Sequence, residues 1–388
     1  MIQIGLERLL HNEGPDLAGL RIGYLSNQAS TTARLLHGRL ALQEKFGDRL
    51  TCLFSPQHGF FSEKQDNMIE SADSLDPVTG LPIFSLYGEH RRPTAQMFAD
   101  LDVLLIDLID VGTRVYTFMY TMAYCLEAAV EFGKRIIVLD RPNPLGGERV
   151  EGNLLRPECR SFVGLYPLPM RHGLTLGELA LYWNRTAAIG ADFEVVAMSG
   201  WQRAMLFADT GFPWLPPSPN MPTPATAMVY PGQVLWEGSN ISEGRGTTLP
   251  FEFVGAPFWE HGEMLERLRK TPLPGCFLRP IIFEPTSGKW AGAQCCGFHI
   301  HVTDPELFLP YRTGLALLQA TMLEYPGQFC YKEPPYEYEF HRLPMDLLLG
   351  DRALRLGLEQ GVAVVDLEAG WQEDLQAYDQ GRRRFYLY

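Results

Sequence analysis

The strongest constraint on this chain is a succession of short apolar runs in its first half, each ending in polar residues and separated from the next by other sequence. Residues 20–26 (LRIGYLS) run into Asn27, and residues 50–54 (LTCLF) into Ser55-Pro56-Gln57-His58-Gly59. Residues 82–86 run into Tyr87-Gly88-Glu89, residues 102–108 (DVLLIDL) into Ile109-Asp110, and residues 135–139 (RIIVL) into Asp140-Arg141-Pro142-Asn143-Pro144. Two intervening stretches carry helical spacing: residues 31–46, through Leu35, Leu36, Leu40 and Leu42, and residues 117–132. Apolar strands that alternate with helices imply parallel β/α units covered on both faces. Such sheets bind ligands outside the carboxyl ends of their strands. Gln57-His58, Glu89-His90-Arg91, Asp107, Asp110, Arg114 and Asp140-Arg141-Asn143 are therefore expected on one rim.

A further unit follows at residues 162–170, with a helix over 175–184 and a strand near 193–198. Pro213, Pro216, Pro217, Pro219, Pro222 and Pro224 then form a stiff connection rather than a flexible linker. The expected fold class is α/β: a Rossmann-like parallel-sheet domain over 1–212 and a smaller α+β domain over 213–388. In the second domain, helices are expected over 258–269 and 310–325, and strands over 277–283, 297–302 and 362–367.

With 388 residues and 46% hydrophobic composition, either part can build a core. A net charge of −13 argues against nucleic acid or an anionic membrane as the main partner. No run of 18 apolar residues spans a membrane, and residues 1–10 lack the pattern of a signal peptide. Seven scattered cysteines fit a reducing cytoplasm rather than a disulfide framework. The first strand ends in Gly23-Tyr24-Leu25-Ser26-Asn27 without a G-x-G-x-x-G turn, so no dinucleotide cofactor is expected.

Asp107, Asp110, Arg114 and Tyr116 form a cluster larger than helix capping requires. Asp140 and Arg141 are expected to face the cleft, whereas the prolines and glycines after them serve the turn. Asn220 is either a turn former or a ligand to substrate. The loop Gly238-Ser239-Asn240-Ile241-Ser242-Glu243-Gly244-Arg245 can offer backbone N–H groups and a guanidinium to a carboxylate. Cys295, His299 and His301 share one face of a strand, but no Cys-x-x-Cys knuckle accompanies them and the pattern equally fits an edge strand; no metal is expected.

Seven motifs in order (FSPQHGF, TGLPIFSLYG, LLIDLIDVGTRVYTFMYTM, VLDRPNPLGG, FVGLYPLPMRHGLTLGEL, WLPPSPNMPT and YPGQVLWEGSNISEGRGTTLPFEFVGAP) resemble the NamZ exo-β-N-acetylmuramidase family. The resemblance implies a cleft between two domains and cofactor-free release of N-acetylmuramic acid from the non-reducing end of peptidoglycan fragments. It also implies a catalytic glutamate in the first motif, where Gln57 stands in this chain. An amide cannot ionise, and glycoside hydrolysis ordinarily needs two carboxyl groups. Glu243 is the first candidate for a catalytic carboxyl, and Glu63 or Glu89 for the substitute, with Asp107 and Asp110 organising the rim. Gln57, His58, Arg114, Tyr116, Asp140, Arg141, Asn143, Asn220, Asn240 and Arg245 are the candidates for holding a small carbohydrate. The alternatives are a sugar-binding protein that has lost the chemistry and a hydrolase of another acidic sugar.

Overall fold

A computed structural model of the chain describes residues 2–388. The first part is built on seven strands: β1 (Ile22–Ser26), β2 (Leu50–Ser55), β3 (Ser74–Leu75), β4 (Pro82–Ser85), β5 (Val103–Asp107), β6 (Arg135–Leu139) and β7 (Phe193–Val196). Their order is β3-β4-β2-β1-β5-β6-β7, parallel throughout except for β3. β1 and β5 are buried along their whole length, which explains their uninterrupted apolar runs. The chain moves outward from β1 through β2 to β4, then returns to the other side of β1 and continues through β5, β6 and β7. The β1–β5 junction is therefore the topological switch point of the sheet.

Local chemistry fixes the helices that cover this sheet. Helix Phe118–Phe132 ends at Gly133 in the left-handed conformation (φ 62°). Helix Leu176–Thr186 starts in a capping box of Thr175 and Glu178. The second part carries three antiparallel strands, β8 (Phe253–Ala256), β9 (Cys276–Phe283) and β10 (Cys295–Val302), in the order β8-β10-β9. Helices Pro224–Gln233 and Pro310–Glu324 pack on one another in this part, and a single apolar core runs through both parts of the chain. No helix among the described residues is long and apolar enough to cross a membrane.

Four sequence expectations change. The helix expected from residue 31 begins at Gly38, because Thr31 and His37 form a bridge around Leu35 at φ 64° and both Leu35 and Leu36 face solvent. Residues 162–170 contain no strand. The late strand at 362–367 is the helix Val364–Ala369, which buries Val364 and exposes Val365. β10 is the central strand of its sheet rather than an edge. Near the end of the chain, Arg382 is buried and donates to the carbonyls of Gly147, Glu148 and Gly173.

Candidate active site

At the β1–β5 junction the proline segment crosses the strand ends, beside a small hollow lined by Ala29, Thr31, Ile109, Arg141, Pro142 and Pro213. Asp107 ends β5 and pairs with Arg141 through both carboxylate oxygens, while Tyr24 donates to its Oδ2 at 2.5 Å. Asn27, after β1, donates to the Pro217 carbonyl at 2.6 Å, and Gln28 to that of Pro216 at 3.0 Å. The proline segment thus lies across the strand ends where a Rossmann-like sheet would hold a cofactor.

A second, more polar pocket lies to one side, above the end of β2. The loops after β2 and β5 supply Gln57, His58, Asn67, Tyr116 and Thr117 to its wall; the chain after β7 supplies Ser218, Asn220, Tyr230, Glu237, Arg245, Phe251, Tyr336 and Glu337. Tyr116, Tyr230 and Phe251 meet edge to face, giving the flat apolar surfaces that sugar rings require. Two carboxylates reach this wall, and their surroundings are opposite.

Glu237 stands in the last turn of the short 3-10 helix Val234–Gly238 and is held by cations and donors. Arg245 Nη2 donates to its Oε1 at 2.6 Å; Asn67 Nδ2 and Tyr336 OH donate to its Oε2 at 2.9 and 2.6 Å. Burial alone would raise its pKa, but Arg245, Tyr336 and Lys289 outweigh it and hold the carboxyl below its ordinary range. Glu337 is 3% exposed and has no ion pair among the described residues. Gln57 Nε2 donates to its Oε1 at 3.0 Å and Tyr87 OH to its Oε2 at 2.6 Å. Burial, reinforced by the negative charge of Glu237, pushes Glu337 up to about 7. At neutral pH one of the two is ionised and the other holds a proton for much of the time.

The remaining wall fits this pair. Thr117 precedes the helix Phe118–Phe132 and donates to Gln57 Oε1 at 2.6 Å, which points the amide nitrogen at Glu337. His58, at φ 74°, donates from Nδ1 to the Lys64 carbonyl at 2.8 Å; burial lowers its pKa to about 4, so its other nitrogen is an acceptor. Arg245 Nη1 and Tyr116 OH are buried donors without a partner among the described residues. A ligand with acceptor oxygens would satisfy them. The loop after β2 closes the pocket: Asn67 bridges Glu237 and Arg245, and Gln65 and Asn220 exchange hydrogen bonds.

Of the residues expected at the site, Gln57, His58, Tyr116, Asn220 and Arg245 line this pocket. Glu243 stands behind it, its carboxylate taken up by Lys289 at 2.7 Å and Arg245 at 3.2 Å, so it braces the arginine instead of facing the cavity. Glu63 is exposed and accepts from the Phe61 amide, and Glu89 is exposed beside His90. Asp110 bonds His172 and the Gly112 amide, and Arg114 is buried among the carbonyls of Asn153, Leu168, Leu348 and Leu349. Asp140 caps helix Leu176–Thr186 through Gly177, and Asn143 closes its own turn. Asn240 tethers residues 328 and 330. The polar strand ends therefore divide between pocket wall and struts. Sequence reasoning missed Glu237 and Glu337; Glu237 follows Trp236 in LWEG and Glu337 lies between Tyr336 and Tyr338 in PYEYEF, and an aromatic neighbour was their only signal.

Residues 22–225 match the family model described as exo-β-N-acetylmuramidase NamZ, N-terminal, and residues 228–388 match its C-terminal counterpart. The peptidoglycan β-N-acetylmuramidase NamZ of Bacillus subtilis (strain 168) is 42% identical over 387 residues, covering 100% of this chain and 91% of that protein. A crystal structure of a DUF1343 family protein from Bacteroides fragilis NCTC 9343 superposes with a TM-score of 0.90 at 31% identity, covering 100% of this chain and 99% of that one. A second protein of that family and organism gives 0.78 at 28% identity, with the same coverage. Matched along nearly its whole length by both family models, this chain belongs to the exo-β-N-acetylmuramidase NamZ family.

Proposed function

We propose that this protein is a glycoside hydrolase that releases N-acetylmuramic acid from the non-reducing end of peptidoglycan fragments, using no cofactor. The observation that carries this reading is a pocket whose wall holds two buried carboxyl groups, one held below its ordinary pKa and the other pushed above it. Glycoside cleavage needs that pairing, one group to give a proton and one to carry negative charge beside the anomeric carbon. Family membership and the Bacillus subtilis relative point the same way. Residues 1–212 supply the rim and residues 213–388 the two glutamates.

Arg245 and Tyr116 offer unpartnered donors to the sugar, and the lactyl carboxylate of muramic acid is the anionic group best suited to the guanidinium. His58 and Asn220 accept from or donate to its hydroxyl and acetamido groups. The seven free cysteines fit work in the cytoplasm.

The test is incubation with a disaccharide of N-acetylmuramic acid β-linked to N-acetylglucosamine, followed by mass spectrometry. Free N-acetylmuramic acid is expected, with at least a hundredfold loss of rate in Glu237→Gln. Calorimetric binding of the disaccharide without release would instead favour a sugar-binding protein.

A further inference from the structure

The family resemblance expects a catalytic glutamate where this chain has Gln57, yet the pocket still has a carboxyl group within reach of that position. Gln57 Nε2 lies 3.0 Å from Glu337 Oε1. Glu337 comes from the other end of the chain, and its backbone is held in an unfavourable conformation. The amides of Tyr336 and Glu339 each donate to the other's carbonyl at 2.9 Å, closing a two-residue hairpin turn. Its central residues, Glu337 and Tyr338, have φ values of 46° and 65°. Turns of this kind normally carry Asn-Gly, because the left-handed conformation is unfavourable for an ordinary side chain. Here the two positions hold a glutamate and a tyrosine. Strain retained at a pocket wall marks a residue placed for use.

Several contacts over-determine that placement. The Glu337 amide donates to Met68 Sδ, Tyr338 stacks on Arg91, and Tyr87 and Gln57 fix the two carboxyl oxygens.

We propose that Glu337 is the proton donor of this hydrolase, with Gln57 a positioning residue that holds it by hydrogen bond instead of acting as the acid. This assignment rests on the functional reading above. In the step, the Glu337 proton passes to the glycosidic oxygen as the C1–O bond breaks, and the bonding electron pair leaves with that oxygen. The ionised Glu237 stabilises the positive charge developing at C1. Water then adds its hydroxyl to C1 and gives its remaining proton to the Glu337 carboxylate, which restores the acid. The Gln57 amide and the Tyr87 hydroxyl stabilise that carboxylate while it exists. A glutamate at position 57 would instead set two carboxyls in hydrogen-bond reach, where they would share a proton.

The test compares two aryl β-glycosides of N-acetylmuramic acid on the wild type, Glu337→Gln and Gln57→Glu. The dinitrophenyl leaving group needs no protonation, whereas the methylumbelliferyl group benefits from it. We expect Glu337→Gln to lose about 10²–10⁴-fold in kcat on the methylumbelliferyl glycoside and less than about tenfold on the dinitrophenyl one. The ratio between substrates is read within one protein sample, so partial misfolding leaves it unchanged. Gln57→Glu is expected to move the alkaline limb of its pH profile upward on the methylumbelliferyl glycoside, and an unmoved limb would contradict the contact between the two side chains. Equal losses on the two glycosides in Glu337→Gln would overturn the assignment while leaving the hydrolase reading intact. A wild type that cleaves neither glycoside would overturn both.

Discussion

Glu237 and Glu337 share a pocket wall, and the difference between them lies in their neighbours. Arg245, Asn67 and Tyr336 surround Glu237 with positive charge and donors, whereas Glu337 has only neutral donors in Gln57 and Tyr87. The second arrangement has a consequence for stability. The Glu337 pKa of about 7 stands above the ordinary 4.5, so the folded protein binds this proton more tightly than the unfolded chain. The stabilisation is complete below the unfolded value and is lost as pH rises through the folded one. Glu337→Gln removes this dependence without changing the shape of the side chain. Between pH 4 and pH 8 the melting temperature of the wild type should fall relative to that of the variant, by the equivalent of roughly 3 kcal/mol at most. A difference between the two proteins that stays constant across this range would show that Glu337 titrates normally in the fold.

Among the elements, the strand ends and the loops after them divide the work. Arg114, in the loop after β5, is fully buried and donates to four carbonyls, two of them in the helix Pro344–Leu349 of the second part. It therefore pins the strand-end loop that carries Tyr116 and Thr117 to the other half of the molecule. Arg114→Met would leave those carbonyls unsatisfied and should cost about 3–5 kcal/mol in chemical unfolding. A loss below about 1 kcal/mol would contradict the role as a clamp. The same contacts explain what the sequence made legible. The parallel sheet was readable because buried strands carry uninterrupted apolar runs, and the rim was readable because polar residues follow them. Which rim residue faces a ligand was not readable, since Arg114, Asp140 and Asn143 spend the same chemistry on backbone groups that His58 and Asn220 turn toward the pocket. Residues 31–37 were misread because Leu35 and Leu36 keep helical spacing while lying exposed in a turn.

At the scale of the whole molecule, the site exists only where the two parts meet. The first part brings Gln57, His58 and Tyr116 to the end of its sheet, and the second lays Glu237, Arg245 and Glu337 against them. The contact is reinforced elsewhere: Arg382 holds carbonyls of residues 147, 148 and 173, and Tyr388 donates to Asp140 at 2.7 Å. This long-range assembly hid the two glutamates from local sequence reasoning, because neither stands beside the strand ends in the chain. It also joins their ionisation into one activity, which requires Glu237 charged and Glu337 protonated. The most direct measurement is therefore the pH dependence of kcat/KM for release of N-acetylmuramic acid by the wild type and by Glu337→Gln. The wild type should give a bell whose alkaline limb falls near pH 7, and the residual activity of the variant should lack that limb. An alkaline limb at the same position in both proteins, or a wild-type rate still rising at pH 9, would contradict the account.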